Sequence, residues 1–104
     1  MTVVAIGTFV PIREHHETVR VALSRAAEAS QIEPGCELYA LHQSRTRFVL
    51  VEQWRDRESL NAHAQGTAFR TLTSDLEGLL DEPLQVQVVS PVPVGTRDRG
   101  VLRG

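Results

Sequence analysis

The sequence predicts an α+β fold of the split βαβ kind, a four-stranded antiparallel sheet with its helices on one face. Three observations predict it. Short runs rich in β-branched residues alternate with helical stripes in the order β-α-β-β-α-β. Ser44 to Thr46 make a short connection between the second and third strands, which makes them an antiparallel hairpin. Gly66 interrupts the second helical part, so that a short helix precedes a longer one.

The elements follow in order. Val3 to Val10 is strand-forming and is stopped by Pro11, which has no N–H for a ladder. From Glu14 to Ser30, Val19, Ala22, Leu23, Ala26 and Ala27 fall on one helical face, and Glu14 and Glu17 suit the positive end of the helix dipole. Pro34-Gly35 is a turn signal, after which Cys36 to Gln43 alternates as a second strand. Phe48 to Trp54 is the third, and it ends at charge. Asp56 is placed to cap a short helix with Leu60 and Ala64 as its inward stripe, and Thr67 to cap the next. Phe69, Leu72, Leu76, Leu79 and Leu80 keep a 3-4 spacing until Pro83, and Leu84 to Val89 is the last strand. Residues 1–91 thus form one domain of ferredoxin-like type, followed by an extended tail over 92–104.

Composition narrows the function classes. The net charge is −2 with no basic run, which argues against nucleic acid as a partner, since phosphate contacts need clustered cations. All 11 cationic residues are Arg, so a lysine Schiff base is excluded. Cys36 is the only cysteine; it rules out an intrachain disulfide and a cysteine zinc cluster, and it reads as a small buried hydrophobe. Met1 leads straight into a strand, and no window approaches the length of a membrane span, so a cytoplasmic protein with no membrane partner is expected. No G-x-G-x-x-G, P-loop or Cys/His metal spacing is present, and no cofactor is expected.

Both faces of the sheet read as apolar. In the third strand Phe48, Leu50 and Trp54 share a parity with Glu52, while Val49 and Val51 share the other with Gln53. In the first, Val3, Ala5 and Phe9 stand against Val4, Ile6 and Val10. With the helices on one face, the other would expose a patch of the size found at interaction sites. A homodimer packed sheet to sheet is expected, with the Pro-Val tail free to cross to the other subunit.

The local sequences resemble the antibiotic biosynthesis monooxygenase (ABM) family, in particular its quinol monooxygenase-like members. His15-His16 opening the first helix, Glu33-Pro34-Gly35-Cys36 entering the second strand, and above all VEQWRDRESLNAHAQGTAF carry the resemblance. It implies a dimeric α/β-barrel with a pocket between helices and sheet in each subunit. It also implies oxidation of a quinol or polyketide-like hydroxyaromatic by O2 without metal, flavin or haem. The protein would then shift a proton, stabilise an oxyanion and exclude water. Haem-degrading relatives need a histidine on the helix after the break; its place here is near Thr73, and no His follows His63, so haem is not expected.

His63 is the candidate acid/base, as an imidazole exchanges a proton near neutral pH and matches the family's helix motif. Glu52 alternates with Leu50 and Trp54 toward the same side, either as a substrate contact or in a structural ion pair with an Arg of a partner subunit. Trp54, Phe48, Leu50 and Phe69 are candidates to line a flat slot, with Tyr39 offering a hydroxyl, although each alone reads as core. His15 and His16, at a helix start, are expected to be solvated, and His42 to lie at a strand edge. Two other functions fit the same residues: an isomerase or detoxifying enzyme acting on a small carbonyl compound, and a non-catalytic dimeric ligand-binding protein.

Overall fold

The structure, a computed structural model, describes residues 1–102 of the 104. It has four strands: β1 (Val3–Phe9), β2 (Cys36–Gln43), β3 (Phe48–Trp54) and β4 (Gln85–Val89). Among the helices, α1 (His16–Gln31) follows a short 3-10 turn at Arg13–His15, and α2 (Arg57–Ala64) and α3 (Thr67–Leu76) flank Gly66. The sheet order is β2-β3-β1-β4, and every neighbouring pair is antiparallel. This is the α+β, ferredoxin-like architecture that the element order predicts.

The parity of each strand decides what it buries. Val3, Ala5 and Phe9 of β1 and Phe48, Leu50, Glu52 and Trp54 of β3 are buried toward the helices. They meet Val19, Ala22, Leu23, Ala26 and Ala27 of α1 and Leu72 and Leu76 of α3 in one core. Burying a large apolar side chain stabilises a fold by about 1.5–3 kcal/mol, so this cluster outweighs local propensity in fixing the fold. A bulge between Cys36 and Leu38 shifts the register of β2 by one residue. Cys36 therefore pairs with Trp54 and Tyr39 with Glu52, which puts both on the helix side, an arrangement simple alternation would not give.

Several expectations need correction. The helix expected to run to Pro83 ends at Leu76, because Glu77 turns extended (ψ 125°) and Gly78 adopts φ +77°. Leu79 and Leu80 lie beyond it, partly buried, where Ile12 N–H donates to Leu79 O at 2.8 Å. The N-cap of α3 is Gly66 and not Thr67. In α2 the inward positions are Ser59, Leu60 and His63, whereas Ala64 is exposed; the stripe runs i to i+3 instead of i to i+4. The cap at Asp56 is as read, its carboxylate accepting from Ser59 N–H at 2.8 Å. Past Val89 the tail makes one helical turn, α4 (Arg97–Gly100), near Thr2 and Gln53. Its last two residues, 103 and 104, lie outside the described residues. No helix among the described residues is long and apolar enough to cross a membrane.

Candidate functional site

Three elements deliver side chains to one place. β3 points Glu52 and Trp54 at the helices, the bulge turns Tyr39 beside them, and α2 lays His63 over both. The His63 ring lies 4.7 Å from Trp54, 5.4 Å from Tyr39 and 5.8 Å from Phe69, measured between ring centres. Five of the seven residues singled out in the sequence, His63, Glu52, Trp54, Tyr39 and Phe69, are thus brought together. Leu50 lies on the same face of β3 between them and Phe48, and Phe48 stands at the far end of the strand against His16.

Polar groups flank the imidazole at both ring nitrogens. Trp54 Nε1–H donates to Glu52 Oε1 at 3.0 Å, and that oxygen stands 3.9 Å from His63 Nε2. On the other side of the ring, His63 Nδ1 is 2.7 Å from Glu33 Oε1. Burial pushes the Glu52 carboxyl above the usual range, against the opposing pull of the Trp54 hydrogen bond. Burial likewise raises the Tyr39 phenol, helped by the negative charge of Glu52, and raises the Cys36 thiol. Cys36 is free and half-buried, so it offers little thiolate.

The arrangement differs from the sequence reading at two points, His16 and Glu33. Within the chain, Glu52 accepts from the Trp54 indole and stands 3.9 Å from His63 Nε2. His16 is not simply solvated: its ring packs on Phe48 at 4.7 Å, and its Nε2 is buried without a hydrogen-bond partner. His42 is exposed on β2, as an edge residue should be. Glu33 was not among the candidates, although its motif was noticed. The available signal was an acid directly before Pro-Gly at a helix end, which carries no indication of a partner thirty residues away.

Phe48, Leu50, Glu52, Trp54 and Tyr39 are packed with at most 6% exposure, so the site is closed on its inner side. Phe69 is only partly buried. On the outer side a cavity of about 320 Å³, lined by Glu33, Pro34, Arg55, Asp56, Ser59, Ala62 and His63 among others, reaches the Glu33–His63 pair. Among the described residues, no group of three or more His, Cys, Asp or Glu side chains is placed to hold a metal ion.

A family described as antibiotic biosynthesis monooxygenase matches residues 2–73. The presumed monooxygenase Rv0793 of Mycobacterium tuberculosis is 27% identical over 92 residues, covering 86% of this chain and 91% of its own. Its solved structure superimposes with a TM-score of 0.86, covering 92% of this chain and all of that one, at 26% identity. A presumed antibiotic biosynthesis monooxygenase of Nitrosomonas europaea gives 0.81 at 25% identity, covering 85% of this chain and 96% of its own. An uncharacterized protein of Synechocystis is 32% identical over 72 residues, 65% of this chain, and the chain spans about half (49%) of that relative's length.

Proposed function

Because the chain belongs to the antibiotic biosynthesis monooxygenase family, we propose that it is a cofactor-independent monooxygenase acting on a quinol or polyketide-like hydroxyaromatic, with His63 as acid/base. The observation that carries this reading is a buried imidazole held at Nδ1 by a carboxylate, with its other nitrogen turned to an interior walled by Trp54, Tyr39 and Phe69. Aromatic walls favour a flat ring, and a base inside them meets its phenolic proton away from water. Phe69 is the partly exposed ring of the set.

In this reading Nε2 takes the hydroxyl proton. The electron-rich ring then reduces O2, which adds at a ring carbon bearing hydrogen. The peroxide anion so formed is protonated on its outer oxygen and sheds the hydrogen of that carbon, so that the O–O bond breaks, the inner oxygen becomes a new carbonyl and the outer one leaves as water. His63 returns its proton to the departing oxygen, and Glu52, held by the Trp54 indole, faces the developing charge. The working molecule is a homodimer formed through the sheet face away from the helices, where Ile6, Val49, Val51, Leu38 and Ala40 lie only partly covered in one chain.

Oxygen uptake by metal-stripped protein over a panel of hydroquinones and polycyclic phenols tests the reading. Uptake above autoxidation is expected, falling by about a hundredfold or more in His63→Ala. Uptake at the autoxidation rate, or uptake indifferent to His63, sinks it. The tight packing of the inner residues favours one competitor, a ligand-binding protein without turnover. That reading predicts saturable binding of the same aromatics with no oxygen consumed.

A further inference from the structure

We infer that Glu33 is the positioning residue of this site, fixing the tautomer of His63 and supplying the counter-charge when the imidazole is protonated. The inference rests on the reading of His63 as acid/base and gives a role to a residue that touches no substrate.

The 2.7 Å separation of His63 Nδ1 and Glu33 Oε1 is that of a charge-assisted hydrogen bond. An ionised carboxylate can only accept, so the proton is on Nδ1, and Nε2 presents its lone pair inward. The nearest carboxylate there, Glu52 Oε1, is 3.9 Å away, beyond hydrogen-bonding reach, so Nε2 is free to receive a proton. The His63 side chain is 4% exposed, and an imidazolium so buried needs a partner charge. Two carboxylates flank it. Burial favours the neutral form of Glu52, whereas the Glu33 side chain is 22% exposed, lines the outer cavity and lies within hydrogen-bond distance of the ring. The other titratable groups near the ring are Tyr39 and Cys36 on β2, and Arg55, Asp56 and Glu58 at the cavity mouth.

The backbone holds Glu33 as a positioning residue requires. Its N–H donates to Ser30 O and its carbonyl accepts from Cys36 N–H, both at 3.1 Å, while Arg55 N–H donates to Gly35 O at 2.8 Å. Gly35 has φ +80°, and a Cβ there would stand 2.1 Å from Ser59 Oγ. The loop is therefore pressed against α2 one turn before His63, so carboxylate and imidazole are located by the same contact.

Ring-nitrogen NMR of His63, with oxygen uptake alongside, tests the inference. The wild type should carry its proton on Nδ1. Glu33→Ala should lose that preference and lower kcat by about a hundredfold with little change in KM. Millimolar formate, entering by the outer cavity, should restore both the tautomer and part of the rate. A side chain of merely structural value would not be rescued this way. Should Glu33→Ala fold poorly, Glu33→Gln keeps the volume without the charge and should still lower kcat at least tenfold. A wild-type proton on Nε2, a tautomer unchanged in Glu33→Ala, or a Gln variant with wild-type kcat would overturn the inference. If no substrate consumes oxygen while the tautomer still follows Glu33 and formate, the monooxygenase reading fails and the positioning role stands.

Discussion

Glu52 is a carboxyl group inside a sheet, with one indole N–H and a distant imidazole as its polar company. Burial raises its pKa in the folded chain, so the native state keeps a proton that the unfolded chain gives up. The sign follows directly. The associated stability is complete below the unfolded value and declines as pH rises through the window up to the raised folded value. Glu52→Gln keeps an amide oxygen for Trp54 and has no proton to lose, so its stability should fall less as pH rises above the unfolded carboxyl's value of about 4.3. Urea midpoints followed by the fluorescence of the single Trp read this out. Equal slopes in variant and wild type would place the pH dependence elsewhere. At this scale the sequence was partly legible. His63 was legible through its helix motif, and Glu52 as an acid in an apolar run; Glu33 was not, because a hydrogen bond across thirty positions leaves no periodic trace.

Elements rest on local signals that a few residues settle. Pro11 ends β1, Asp56 caps α2 and Gly66 divides α2 from α3. The end of α3 departs from its leucine spacing, which runs smoothly through Gly78 while the backbone does not. Gly35 and Gly78 both sit at positive φ, but only Gly35 has an atom where a Cβ would go. Gly78→Ala should cost about 1–3 kcal/mol, the strain of the left-handed region alone. Gly35→Ala should cost more, because Ser59 must also move, and it should disturb the Glu33–His63 pair. Chemical denaturation of the two variants side by side tests the order. Equal losses would mean that the loop yields without disturbing α2.

The whole molecule presents a sheet with helices on one side and a largely apolar surface on the other. Val49 and Val51 pair across to Thr8 and Ile6 of β1 and to His42 and Ala40 of β2, so the open face is continuous over three strands. A dimer through this face predicts that Val51→Arg halves the mass seen by sedimentation at micromolar concentration, because each copy would bury a guanidinium group in an apolar interface. A wild type that sediments as a monomer would remove the sheet-to-sheet arrangement. The tail bears on the same face, as α4 lies near Gln53 and Thr2 at one end of it. Deleting residues after Val89 should shift the dimer equilibrium if the tail crosses between subunits, and leave it unchanged if the tail closes on its own chain.

By itself the sequence determined the order of the elements and the inward stripe of α1, because both are written in short-range periodicity and turn chemistry. Only the tertiary structure decided that the β2 bulge turns Tyr39 inward, that His16 packs on Phe48 and that Glu33 reaches His63. Those are contacts between side chains far apart in the chain. Their geometry is set by how the packed layers settle against one another, and no pattern of neighbouring residues records it.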